Sequence, residues 1–203
     1  MRFLEIKNHL SKFRVGIAGA GGLGSNCAVA LARSGVGTLV IADYDTIEKS
    51  NLNRQYYFLS QIGMMKTAAI KENIALINTE INVIIHQVKL DSKNIPDIFS
   101  GCDIIVEAFD NAEMKEMLVE TVQLKMPGVP VVVGSGMAGW GRNNEISTRK
   151  LDDTLFVCGD ESSEVSDNQP TIAPRVGTVA NMQANVVLEI LMTIEEHHEN
   201  YIK

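Results

Sequence analysis

Residues 13–24 read FRVGIAGAGGLG and run straight into the segment SNCAVALARSG at 25–35. The apolar run ending in Ala18 predicts a strand, the glycines a tight loop, and the segment from Leu23 a helix. Glycine at 19, 21, 22 and 24 lets the backbone turn sharply and lets phosphate oxygens reach the N–H groups at the helix start, where the dipole favours anions. Asp43 follows 19 residues after Gly24, at the end of a second strand, where a carboxylate can accept hydrogen bonds from ribose hydroxyls. Together these features predict a bound nucleotide. The competing reading is that the glycines merely let the helix pack close to the sheet. Taken alone, the fingerprint favours a dinucleotide oxidoreductase.

Working outward, short apolar runs alternate with longer periodic segments, the pattern of βαβ units and a parallel sheet. Strands are expected at Arg14–Ala18, Thr38–Ala42, Asn82–Gln87, Ile104–Ala108 and Val129–Gly134, and helices near Leu23–Ser34, Met64–Asn78 and Asn111–Lys125. The runs IADY and IIVEAF read as sheet buried on both faces. After Gly134, the glycine-rich SGMAGWGRNNEIS and then TLFV predict an antiparallel addition at the sheet edge. The polar, acidic stretch Cys158–Ala173 is expected as a mobile loop. Val179, Met182, Val186, Ile190 and Ile194 then recur at helical spacing, a long closing helix followed by EEHHENYIK. The expected fold is one domain over residues 1–203, a doubly wound, mostly parallel α/β sheet with an antiparallel C-terminal extension.

Eighteen Lys and Arg against 25 Asp and Glu give 203 residues a formal charge of −7, which disfavours nucleic acid and anionic lipid as partners. Val15–Ala32 carries no charge over 18 residues, but its five glycines, Ser25 and Asn26 are turn chemistry, so no membrane span is expected. The N-terminus mixes charges into every turn and has no apolar signal region, which predicts a cytoplasmic protein. Three cysteines, none in a C-x-x-C pair, predict free thiols and no zinc. The adjacent His197 and His198 read as a solvated helix end.

Against an oxidoreductase stands the polar insertion DYDTIEKSNLNRQ at 43–55, which carries Asn51, Arg54 and Gln55 close to the strand end and suggests phosphate handling. The planar guanidinium of Arg54 suits a triphosphate, unless it serves a surface salt bridge. Asp45 opens D-T-I-E, which resembles a capping box and can simply start a turn. Lys66 lies four residues before Ile70 and extends the inward stripe of Ile70, Ile74 and Ile77. A buried ammonium needs a partner, and a nucleotide phosphate would supply one; the alternative is a lysine that snorkels outward. Asp110 ends the fourth strand, where it can hold Mg²⁺ through water or join Asn111 in capping the next helix.

The loop GAGGLG, the block DYDTIEKSNLNRQ, the GMMK ending in Lys66, AFDN at Asp110 and the closing PRVG and QAN together resemble the ThiF/MoeB/HesA family, bacterial relatives of ubiquitin-activating enzymes, from about Arg14 to Met192. The resemblance implies a Rossmann-like fold that uses ATP and Mg²⁺ to adenylate the C-terminal Gly-Gly carboxylate of a ubiquitin-like sulfur carrier, usually as a homodimer. The short chain and the segment CGDESSEVSDNQPTIAPRVG look most like the compact thiamine-synthesis type, whose carrier is ThiS. It implies that Asp43 holds the ribose, that Asp45, Asn51, Arg54, Gln55 and Lys66 surround the nucleotide, and that Asp110 anchors Mg²⁺, with Gly21 and Gly22 closest to the ligand. Arg54, Lys66 and Asp110 become the candidate catalytic residues. Longer family members carry two zinc-binding C-x-x-C pairs and many an R-Y-x-R-Q stretch that lends an arginine to the neighbouring subunit, both missing here, and some hold a reactive cysteine in the loop before the last helix. Cys158 is the nearest thiol, and thioester chemistry is not expected. Rival readings are a sister activity (molybdopterin carrier activation or tRNA threonylcarbamoyladenosine dehydration), a nicotinamide-dependent oxidoreductase and a silent nucleotide-binding scaffold.

Overall fold

A computed structural model describes residues 2–194; the tail with His197 and His198 lies outside the described residues. Its elements run α1 (Phe3–Leu10), β1 (Arg14–Ala18), α2 (Gly22–Ser34), β2 (Thr38–Ala42), α3 (Lys66–Ala75), β3 (Asn82–His86), α4 (Ile95–Ile98), β4 (Ile104–Glu107), α5 (Ala112–Lys125), β5 (Val131–Gly134), β6 (Ser147–Lys150), β7 (Leu155–Gly159) and α6 (Ala173–Thr193). The seven strands form one sheet in the order β3-β2-β1-β4-β5-β7-β6, and every pair is parallel except β6 with β7.

Both faces are covered, which is why these strands read as unbroken apolar runs. Side chains alternate across them. Val15, Ile17, Leu39, Ile41, Ile104 and Val106 point into the core under α2, α3 and α6, while Val40, Ile105 and Val131 point into the core under α4 and α5. Gly16 faces the second core because a side chain there would meet the Phe99 ring at 2.7 Å.

The doubly wound sheet and its antiparallel extension follow the sequence expectation, with the short helices α1 and α4 as additions and one correction. Within the extension the second strand, β7, pairs in parallel beside β5, and β6 forms the rim, exposed along its length. Cys158 and Gly159 belong to β7, so the connecting loop begins only at Asp160. That loop is fastened at several points, through Asp160 to Arg175, the Ser163 hydroxyl oxygen accepting from the Ala138 N–H, and the Pro170 carbonyl accepting from the Gly139 N–H.

Strand order reverses between β1, which leads back toward β2, and β4, which leads on toward β5. Ligands of open α/β sheets bind beyond the carboxyl ends of the strands at such a point. No described helix is long and apolar enough to cross a membrane.

Candidate functional site

A cleft of about 810 Å³ opens at that switch point, within the size range of small-molecule sites. Its floor is the loop between β1 and α2. Gly19 holds φ +100°, a conformation that side chains rarely adopt. The Tyr57 hydroxyl donates to the Ala20 carbonyl at 2.6 Å and braces the loop from below. At Gly21 an added Cβ would meet nothing nearer than the Gln55 amide at 3.8 Å, so the backbone there is open to a ligand. Gly24 differs: its Cβ would fall 1.9 Å from the Gly19 carbonyl oxygen. It does not line the cleft, and it serves the close packing of helix on loop.

Asp43 sits where β2 ends and accepts two backbone hydrogen bonds, from Ala20 at 2.6 Å and Asp45 at 2.7 Å. Each carboxylate oxygen can accept a further bond, so the group remains competent toward ribose hydroxyls. Burial raises its carboxyl above the usual carboxylate range, and those amides oppose the shift.

Lys66 opens α3 with its side chain 8% exposed and its ammonium 2.8 Å from a carboxylate oxygen of Asp45. Ile70 and Ile74 continue the stripe into the core. Lys66 therefore faces inward as its spacing implies, and Asp45 supplies the partner. The capping-box reading of Asp45 does not hold: the following 3-10 turn spans Lys49–Asn53 and is capped by Glu48. Asn51 belongs to that turn. Its side-chain oxygen accepts from the Glu48 N–H at 3.0 Å, and the residue lies outside the cleft lining.

Arg54 and Gln55 do line the cleft. Arg54 donates to the Asn53 side chain at 2.7 Å and to the Ser50 carbonyl at 3.3 Å, and among the described residues it pairs with no carboxylate. Gln55 is buried and its Oε1 lacks a hydrogen-bond partner. Asp110 stands exposed on the opposite wall. Asn111 alone caps α5, accepting from the Met114 N–H at 3.0 Å, so the Asp110 carboxylate is left to the cleft.

Sequence reasoning missed part of this wall. Glu107 is fully buried at the end of β4, where its carboxylate accepts from the Lys115 ammonium at 2.8 and 3.0 Å and from the Phe109 N–H at 2.6 Å. Burial raises the Glu107 carboxyl above its usual range, against the opposing pull of Lys115. Lys115 also donates to the Gly134 carbonyl at 2.9 Å, tying α5 to the end of β5. A glutamate inside the apolar run IIVEAF was the signal, since a charge in buried sheet requires a partner. Tyr44 and Lys89, Ser135–Met137 after β5, and Ser163–Val165 of the loop after β7 also line the cleft.

Residues 4–203 match the model of the ThiF family. The "Adenylyltransferase and sulfurtransferase MOCS3" of Caenorhabditis briggsae is 34% identical over 191 residues, 91% of this chain and 47% of that protein. The "Adenylyltransferase and sulfurtransferase UBA4" of Saccharomyces cerevisiae is 32% identical over 191 residues, 91% of this chain and 43% of that one. The chain thus spans about half the length of these curated relatives. Among solved structures, the tRNA N6-threonylcarbamoyladenosine dehydratase TcdA of E. coli, in complex with ATP, shares the fold at a TM-score of 0.83 and 20% identity, over 93% of this chain and 89% of that chain. E. coli MccB with ATP aligns at 0.70 and 25% identity, over 93% and 58%. With residues 4–203 matched by the family's model and relatives above 30% identity along about nine-tenths of its length, the chain belongs to the ThiF family.

Proposed function

We propose that this chain is an ATP-dependent adenylyltransferase that activates the C-terminal Gly-Gly carboxylate of a ubiquitin-like sulfur carrier as an acyl-adenylate, with release of pyrophosphate. The observation that carries the reading is the convergence of Gly21, Asp43, Arg54, Lys66 and Asp110 on one cleft. The names of the 34% and 32% identical relatives support adenylyl transfer. The segment at 158–177 favours a ThiS-like carrier and hence thiamine synthesis, by resemblance.

A carrier carboxylate, with a reference pKa of about 3.5, is already ionised at neutral pH, so no protein base is required. The protein's work is to hold that carboxylate in line with the α-phosphate and to offset charge on the departing pyrophosphate. Asp43 orients the ribose, the open backbone at Gly21 receives phosphate oxygens, and Arg54 and Lys66 supply positive charge. The charged side chains lining the cleft are five carboxylates (Asp43, Asp45, Asp110, Glu113, Glu164) and four cations (Arg54, Lys66, Lys89, Lys115). That balance is poor for bare ATP and suits its magnesium complex. Asp110 fits as the anchor, because Mg²⁺ binds through one or two carboxylates plus substrate phosphates. The ion would neutralise phosphate charge there. Two glycines without side chains can thread between Ser135–Met137 and Ser163–Val165. A homodimer is part of the same proposal.

ATP–pyrophosphate exchange with Mg²⁺ and a ThiS-like carrier, beside the same carrier lacking its last two glycines, tests the reading. Exchange only with the intact tail is expected. No exchange with either carrier, while ATP still stabilises the fold, would point to a different carboxylate or to a silent scaffold.

A further inference from the structure

We infer that Asp45 is a positioning residue that holds the Lys66 ammonium and releases it to the phosphates when nucleotide enters, so that Asp45 competes with the ligand it helps to receive. The inference rests on the nucleotide reading above and adds to it a role for Asp45 that does not touch the nucleotide.

The two partners are unequally buried. Lys66 is 8% exposed at its side chain and Asp45 47%. A buried ammonium without a counter-charge is strongly disfavoured, whereas a half-exposed carboxylate can turn into water at small cost. Asp45 is therefore the partner that leaves. Its backbone is fixed on both sides: its N–H donates to Asp43 at 2.7 Å, its carbonyl accepts from the Lys66 N–H at 2.9 Å, and Thr46 bridges to Met65. Release thus needs only a side-chain rotation. The contact with Asp45 engages one of the three N–H donors of the ammonium, and both side chains line the cleft that holds Gly21 and Arg54. A phosphate approaching Lys66 meets a carboxylate already in place. If the latched arrangement holds about nine-tenths of the molecules, removing it tightens binding about tenfold.

ATP is titrated calorimetrically, with and without Mg²⁺, into the wild-type chain, Asp45→Asn, Asp45→Glu, Lys66→Met and the Asp45→Asn/Lys66→Met double variant. Thermal unfolding is followed for each with and without saturating ATP. The expected result is about tenfold tighter binding by Asp45→Asn, wild-type affinity in Asp45→Glu, and no gain from Asp45→Asn once Lys66 is Met. Asp45→Asn should also lower Tm without nucleotide and recover at saturating ATP, which a purely structural contact would not do. Weaker binding by Asp45→Asn would overturn the inference and make Asp45 a ligand of the nucleotide or its metal. An equal gain in the Lys66→Met background would reduce it to simple repulsion. A Tm loss unchanged by ATP would make the contact structural. A wild-type chain that binds no ATP fails differently: no variant then shows a change, and the nucleotide reading itself falls.

Discussion

Gly21 and Gly24 lie three positions apart in one loop and obey different constraints. At Gly24 a methyl group would strike the Gly19 carbonyl, and backbone does not yield easily. Gly24→Ala should cost about 3 kcal/mol, the upper end of the usual range for overpacking, visible as a lower urea midpoint with or without nucleotide. At Gly21 an added methyl would make only an ordinary contact, with the Gln55 amide at 3.8 Å. Gly21→Ala should leave the urea midpoint of the free protein unchanged and weaken ATP in the same titration. Equal effects of the two substitutions on both measurements would show that the loop serves only helix packing. Lys66→Ala should lower carrier-dependent pyrophosphate exchange by about a hundred- to a thousandfold, the loss typical of removing one electrostatic contact to a transition state; near-normal turnover would remove Lys66 from the chemistry.

At the scale of elements, two buried ion pairs hold the walls of the cleft. Lys115 joins α5 to β4 through Glu107 and to β5 through Gly134, and Arg175 joins α6 to the loop after β7 through Asp160 while donating to the Gly141 carbonyl at 2.5 Å. Breaking a buried pair by removing one member costs about 3–5 kcal/mol, and Lys115→Met should show that loss in chemical denaturation. The Asp160 pair adds a pH dependence. Burial pushes the Asp160 carboxyl up, but the N–H groups of Ser162 and Ser163, with Arg175, outweigh it and hold the group below the ordinary value of 3.8. A depressed carboxyl contributes stability that is complete above the unfolded value and is lost as pH falls through the folded one. The stability gap between wild type and Asp160→Asn should be full at neutral pH and shrink below about pH 4; a gap that widens on acidification would reverse the sign. These pairs also mark where the sequence stops being legible. The first five strands and the four longer helices announce themselves through apolar runs and periodicity, and the glycine loop through its place between strand and helix. Asn51 could not be separated from a ligand, because the chemistry that binds phosphate also caps turns. Glu107 and Lys115 meet across a strand end and a helix, at a spacing no single-element periodicity reports. Nor does local pattern show that β7 lies inside β6, since both are short and only residues 151–154 separate them.

On the scale of the whole molecule, the arrangement of thiols limits what could follow the proposed adenylation. Cys27, Cys102 and Cys158 are all buried. Burial raises each thiol above its ordinary value, Cys102 to about 11, so none is a thiolate at neutral pH. Cys158, on β7 with its sulfur 3.6 Å from the Thr148 hydroxyl, is part of the sheet and not a group in the cleft. An acyl-adenylate of the kind proposed, formed beside Lys66 and Arg54, would meet no thiol among the described residues, and a nucleophile for a following step would come from outside them. Iodoacetamide at neutral pH should label the native protein far more slowly than the urea-unfolded chain, and alkylation under native conditions should leave pyrophosphate exchange unchanged. Incubation with ATP, Mg²⁺ and an intact carrier should give no reductant-sensitive adduct by mass spectrometry. Detection of such an adduct at Cys158 would require β7 to open during turnover, and would turn the closed sheet edge into part of the catalytic cycle.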